Sequence, residues 1–221
     1  MPAMNLRNIL AELRLHADPA NVAGMARYGI ITAKAFGVGT PVLRAMGRRL
    51  GKDHALAAKL WATGLYEGRF LASLVDIPTD VTPCQMESWV ADFDNWAICD
   101  GVCSNLFDKT PMAYEKALEW AARGEEFVKR AGFVMMACLA VHDKKAPDTV
   151  FIPFFDPILL GSADDRNFVR KAASWAMRQI GKNRPALRPG VIDLARRIRE
   201  TGSKSGRWIA SDVLRELERR A

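Results

Sequence analysis

Trp96 and Asp100 stand four residues apart in "DFDNWAICDGVCSNLF", Asp92 to Phe107. On a helix that spacing projects an indole and a carboxylate from one face, a single turn apart. The apolar residues around them keep helical spacing, with Trp96, Cys103 and Phe107 on one stripe and Ile98, Val102 and Leu106 beside it. A carboxylate left unpaired in such surroundings costs several kcal/mol, so a cationic or donor-rich group must meet it. The ordinary explanation is an Arg or a backbone N–H, but between Arg69 and Lys109 there is no Lys or Arg at all.

Two later segments carry the complementary charge. In "FVKRAGFVMMACLA", Arg130 is the last charge before the eleven-residue apolar run Ala131 to Val141, which makes it a candidate groove-lining residue. In "NFVRKAASWAMRQIGK", Phe168, Ala172, Ala176 and Ile180 form an apolar stripe, whereas Lys171, Trp175, Arg178 and Lys182 follow a separate, basic face. Cations with an indole among them suit a phosphate backbone and a stacked or positively charged base, although a Trp at helical spacing is more often simply core.

Other chemistries find less support. Cys99 and Cys103 could place two thiolates on one helix face, but no CxxC accompanies them and His16, His54 and His142 are scattered, so no metal site is expected. There is no GxGxxG or Walker loop; "GVGTP" (Gly37 to Pro41) reads as a turn into a capped helix. No His is spaced to activate a Ser or Cys nucleophile. "TGSKSG" (Thr201 to Gly206) offers a phosphate cradle or, equally, a flexible turn between helices.

The elements that must position these residues are helices. Asp18-Pro19, Thr40-Pro41, Thr82-Pro83 and Thr110-Pro111 each have the form of a cap followed by a Pro already set for the first helical position. Leu6, Ile9, Leu10 and Leu13 make a first amphipathic helix, and Asp53 to Val75 a long one weakened by Gly64 and Gly68. Further helices are expected from about Thr110, Gly124, Asp165, Arg188 and Ser205. Only "TVFI" (Thr149 to Ile152) looks strand-like, closed off by Pro147 and Pro153. "FVKRAGFVMM" (Phe127 to Met136) and "FVRKAASWAM" (Phe168 to Met177) repeat with an offset of 41, a period that suits helix pairs stacked in a HEAT- or armadillo-like solenoid.

The chain of 221 residues, 49% hydrophobic, is long enough to bury a sizeable core, and a single domain over 1–221 is expected. Without a membrane span or signal-peptide pattern, a soluble cytoplasmic protein is expected, with Cys84, Cys99, Cys103 and Cys138 as reduced core thiols. From Arg166 to Arg207 there are twelve Lys or Arg against Asp193 and Glu200, about +10 in net charge and leaving about −3 for the rest of a chain whose total is +7. Such a segment is either a solvated helix face or a surface for a polyanion.

These pieces together resemble the DNA alkylation repair glycosylases of the AlkD type, over most of the chain. "MARYGI" (Met25 to Ile30) and "GVGTPVLR" (Gly37 to Arg44) are similar to that family's amino-terminal pattern, and "LAAKLWATGLYEGRFLA" (Leu56 to Ala72) to its long Leu-Trp helix. The more specific matches are Trp96 with Asp100, Arg130 in "KRA", and Trp175 in "KAASWAMR"; Ala97 stands where many relatives carry a second acid. The resemblance implies an all-α, HEAT-like solenoid whose concave face grips duplex DNA and removes purines alkylated at N3 or N7, with no cofactor, no membrane and no obligate protein partner. Asp100 would stabilise the cationic sugar and orient water, Trp96 and Trp175 would pack on deoxyribose and backbone, and Arg130 would hold a phosphate. Tyr28, Lys171, Arg178, Lys182, Lys204 and Arg207 are the expected DNA-binding residues. The competing reading is a non-catalytic HEAT-like DNA-binding or protein-scaffold domain in which Asp100 is structural.

Overall fold

The computed structural model describes residues 5–30 and 34–218. Among these there are thirteen α-helices and no strand: α1 (Leu6–Leu15), α2 (Pro19–Arg27), α3 (Thr40–Leu50), α4 (His54–Ala62), α5 (Tyr66–Val75), α6 (Pro83–Ala91), α7 (Trp96–Asn105), α8 (Ala113–Ala121), α9 (Glu126–His142), α10 (Phe155–Gly161), α11 (Asn167–Asn183), α12 (Arg188–Glu200) and α13 (Lys204–Leu217). None is long and apolar enough to cross a membrane. The chain divides into two compact units, Met1–Thr110 and Pro111–Ala221.

Several helices begin where short polar side chains can satisfy free backbone N–H groups. Asp18 Oδ1 accepts from Ala20 and Asn21 at 2.9 and 3.1 Å, and Thr82 Oγ1 accepts from Gln85 at 3.2 Å. Thr40 is instead the first helical residue, with Gly39 before it. Thr110 starts nothing: its hydroxyl donates to Phe107 O, 2.8 Å, closing a turn, and α8 begins at Ala113. The expected long helix over 53–75 is two helices. Gly64 has φ +65°, a left-handed conformation that cannot continue a right-handed helix, so the chain breaks there and resumes as α5.

In the first unit α3 packs on α5, α5 on α7, and α4 on α5. Its core includes Trp61 stacked on Trp89 with ring centroids 4.0 Å apart, and Phe107 fully buried. Full burial of a side chain of that size stabilises by about 1.5–3 kcal/mol. The second unit repeats the arrangement, α8 on α9, α9 on α11, and α11 on both α12 and α13. The two repeat segments open α9 and α11, and their Phe127 and Phe168 rings meet at 5.5 Å. Gly132 lets α8 and α9 approach: a Cβ there would lie 2.3 Å from Ala121 N.

Two further expectations fail. "TVFI" is part of a 3-10 helix, Asp148–Phe154, in which Phe151 and Phe154, three residues apart, share the buried side and pack beside Tyr114. Cys99, Cys103 and Cys138 are buried free thiols, but Cys84, in the first turn of α6, is exposed.

Candidate nucleic-acid site

The start of α7 is set by Asn95. Its side-chain oxygen accepts from Ala97 N and Ile98 N at 3.1 and 3.0 Å while its backbone is extended, so Trp96 becomes the first helical residue and Asp100 follows one turn on. Ile98, Cys99, Val102 and Cys103 turn into the core, leaving Trp96, Ala97, Asp100 and Gly101 half-buried on the flank. Gly101 allows α7 to lie close on α5, since a Cβ there would stand 3.2 Å from the Phe70 ring. Asp100 is not a free carboxylate; it already interacts within the fold.

Trp96 is pinned at its indole nitrogen, which donates to Tyr28 O at 2.8 Å. Tyr28 ends α2, and its side chain is 73% exposed. The two residues, 68 apart in sequence, line one cleft of about 520 Å³ with Met25, Tyr66, Phe70 and Ala97. Burial, with the neighbouring Glu67 charge, pushes the Tyr66 phenol up to about 12, so it stays neutral and adds no anion to the cleft.

Glu67, to which no sequence motif pointed, lies behind this cleft and holds the segment that brings Val38 to its lining. It is fully buried, and its carboxylate accepts from the backbone N–H groups of Phe36, Gly37 and Val38 at 2.7 to 3.2 Å. Gly37 has φ +80° and a Cβ there would be 2.2 Å from Asp18 O, so this bend requires glycine. The signal available in sequence was an acid in a helix's first turn, three residues after Gly64, which is common enough to point nowhere by itself.

In the second unit Arg130 lies on α9, 6% exposed, with Nη1 donating to Phe168 O at 2.6 Å and its guanidinium 6.0 Å from the Phe168 ring centre. Trp175 is half-buried on α11 and Lys171 is exposed. Arg178 and Lys182 are ion-paired with α13: Arg178 Nη1 and Lys182 Nζ reach the two oxygens of Glu216 at 2.9 and 2.8 Å, and Arg178 Nε lies 3.2 Å from Asp212. The hydrogen bond from Lys182, followed by that from Arg178, holds the Glu216 carboxyl below the usual carboxylate range despite its partial burial. Lys204 and Arg207 are exposed on the first turn of α13, Arg207 donating back to Gly202 O.

The +10 segment is thus partly neutralised within the fold. Trp208, not singled out in the sequence, is 38% exposed and has the half-buried Arg170 guanidinium 5.1 Å from its ring centre, which puts a second indole beside a cation. Among the described residues no cluster of three or more His, Cys, Asp or Glu could hold a metal ion.

Residues 9–205 match the family model described as DNA alkylation repair enzyme. A solved structure, of a new family of proteins related to the HEAT-like repeat DNA glycosylases with affinity for branched DNA structures, superposes with a TM-score of 0.76 at 18% identity, covering 87% of this chain and 83% of that one. The fold is therefore HEAT-like. No curated protein matches the sequence.

Proposed function

Because the chain belongs to the DNA alkylation repair enzyme family, we propose that it hydrolyses the N-glycosidic bond of purines alkylated at N3 or N7 in duplex DNA, a monofunctional glycosylase acting first in base excision repair. The observation that carries this reading is Trp96 and Asp100, one turn apart on the half-buried flank of α7 with the indole fixed by Tyr28 O. We take both units as one DNA-binding domain, since the family match runs through both. A cytoplasmic site of action belongs to the same proposal.

The chemistry asks little of an acid. An N3- or N7-alkylated purine is already cationic, so when its bond to the sugar C1′ breaks, the electron pair passes to the base and neutralises it. Positive charge then builds on the sugar. The Asp100 carboxylate offsets that charge and accepts a hydrogen bond from the water whose oxygen bonds to C1′; the proton leaves to solvent. A preorganised group of this kind commonly contributes about 3 kcal/mol, roughly a hundredfold in rate. Trp96 and Trp175 pack on deoxyribose and backbone. Arg130 holds a phosphate, with Tyr28, Lys171, Arg178, Lys182, Lys204 and Arg207 as further DNA contacts.

The test is to incubate the protein with duplex DNA carrying 7-methylguanine or 3-methyladenine and measure free base. Release well above the spontaneous rate is expected, and release at that rate sinks the proposal. The second reading, a non-catalytic DNA-binding or scaffold domain, is favoured by one observation: Arg130 is nearly buried and already donates to a backbone carbonyl. The branched-DNA affinity given for the solved relative is compatible with it. It predicts retention on DNA without abasic product.

A further inference from the structure

Arg44 and Arg48 are one turn apart on α3, and Lys52 lies two residues beyond its last turn. All three line one cleft of about 310 Å³ with Gly47, Gly51 and Leu74, and no acidic residue is among its walls. Arg49, next in sequence, is paired with Glu12 at 2.5 Å, whereas among the described residues neither Arg44 nor Arg48 has a carboxylate partner. Both are exposed. Arg44 instead lies 5.8 Å from the ring centre of Phe70, which also lines the Trp96 cleft.

Lys52 is held in place. Its ammonium donates to Leu74 O at 2.9 Å and Asp76 O at 2.7 Å, which spends two of three N–H donors and leaves one. Burial holds it below the usual lysine range; the Asp76 charge works against that shift and the Lys109 charge adds to it. Asp76 offsets the charge of Lys52 alone; Arg44 and Arg48 have no carboxylate partner among the described residues, and an anion in the cleft relieves the remaining repulsion. Gly51 has no heavy atom within 4 Å of where a Cβ would stand, so that wall of the cleft is open, which suits a phosphate belonging to a chain.

We propose that the Arg44–Arg48–Lys52 cleft binds a backbone phosphate of duplex DNA, giving the first unit its own anchor, additional to the basic segment of the second. Two guanidinium forks and a fixed ammonium match a phosphodiester's oxygens, the pairing for which Arg is best shaped. The inference rests on DNA being the ligand of the proposed function. It does not rest on base release.

The experiment measures binding to lesion-free duplex as a function of salt, so its outcome stands whether or not the protein proves to be a glycosylase. Each phosphate contact contributes about 0.9 to the slope of log affinity against log salt. Arg44→Gln with Arg48→Gln is expected to lower the slope by about 0.9, so that between 50 and 200 mM salt the parent loses roughly three- to fourfold more affinity than the variant. Arg48→Gln alone, which has no hydrogen bond, ion pair or ring contact to lose among the described residues, is expected to lower it by part of that amount. The control is Arg7→Gln with Lys59→Gln, exposed cations of the same unit outside the cleft.

A slope change no larger than the control's overturns the proposal. So does a result in which inorganic phosphate, at constant ionic strength, stabilises the parent but not the Arg44/Arg48 variant while the DNA slope is unmoved, since the cleft would then take a small free phosphate.

Discussion

Trp96 Nε1 donates to the backbone carbonyl of Tyr28 at 2.8 Å, joining the first residue of α7 to the last turn of α2 across 68 positions of sequence. The bond orients the indole and at the same time holds the segment that carries Tyr28 on the other wall of the 520 Å³ cleft. Trp96→Phe keeps an aromatic face but removes the donor. A net loss of about 1 kcal/mol is expected, as for one intramolecular hydrogen bond, with weaker base release at unchanged salt dependence. Denaturant titration and base release check it. Unchanged stability would show that water replaces the indole without cost.

Asp100→Asn keeps the shape of the side chain and removes its charge. If the carboxylate offsets charge on the sugar, base release falls by about a hundredfold or more while affinity for lesion-containing duplex stays within a few-fold. The alternative role, a structural acid, predicts the reverse: a lower melting temperature and unaltered chemistry. Single-turnover release of 7-methylguanine alongside thermal unfolding separates the two, and full activity in the variant removes Asp100 from the mechanism.

Asp164 gathers three parts of the second unit. Its carboxylate accepts from Arg166 Nε and Nη2 at 2.9 and 2.6 Å and meets Lys129 Nζ at 3.2 Å, while its carbonyl accepts from Ser205 Oγ at 2.8 Å. The Arg166 hydrogen bonds, partly opposed by burial, hold its carboxyl down at about 2. A depressed folded-state pKa means stability that is fully present above the unfolded value near 3.8 and is lost as pH falls through about 2. The melting temperature is expected to drop between pH 4 and pH 2, and Asp164→Asn to flatten that limb. A variant with the parent's slope there would assign the acid limb to other carboxylates.

How much of this was legible beforehand depends on whether the information is local. The four-residue spacing of Trp96 and Asp100 places both on one flank of any helix, and the 41-residue repeat foretold that Phe127 and Phe168 sit at matching places on neighbouring helices, where their rings meet. What the pattern cannot carry is tertiary. "TVFI" has the apolar, β-branched look of a strand, and only packing of Phe151 and Phe154 beside Tyr114 selects the tighter helix. Gly64 looks like a small propensity penalty but takes a left-handed φ that ends α4. Charge counting met the same limit, because Arg178 and its partner Glu216 are 38 residues apart and cancel only once α11 and α13 pack. The buried Glu67 carboxylate, bonded to three backbone N–H groups some 30 residues earlier, was illegible for that reason too.

Glu216 occupies the basic face of α11 that is proposed to meet DNA. It binds both Arg178 and Lys182, two residues proposed as DNA contacts, and a phosphate reaching them must compete with a carboxylate already seated. Glu216→Gln removes that competitor while leaving an amide oxygen that can still accept one hydrogen bond. These pairs are partly buried, so each contributes at or above the about 0.2–1 kcal/mol of an exposed pair, and a measurable stability loss is expected alongside. Affinity for duplex DNA should rise and the salt slope steepen by up to about two contacts, 0.9 each. Glu200→Gln, an exposed acid on α12, changes net charge equally and isolates the local effect from the global one. If the two variants bind alike at every salt concentration, Arg178 and Lys182 are cross-links between α11 and α13, and the DNA contacts of this unit must be sought among Lys171, Lys204 and Arg207.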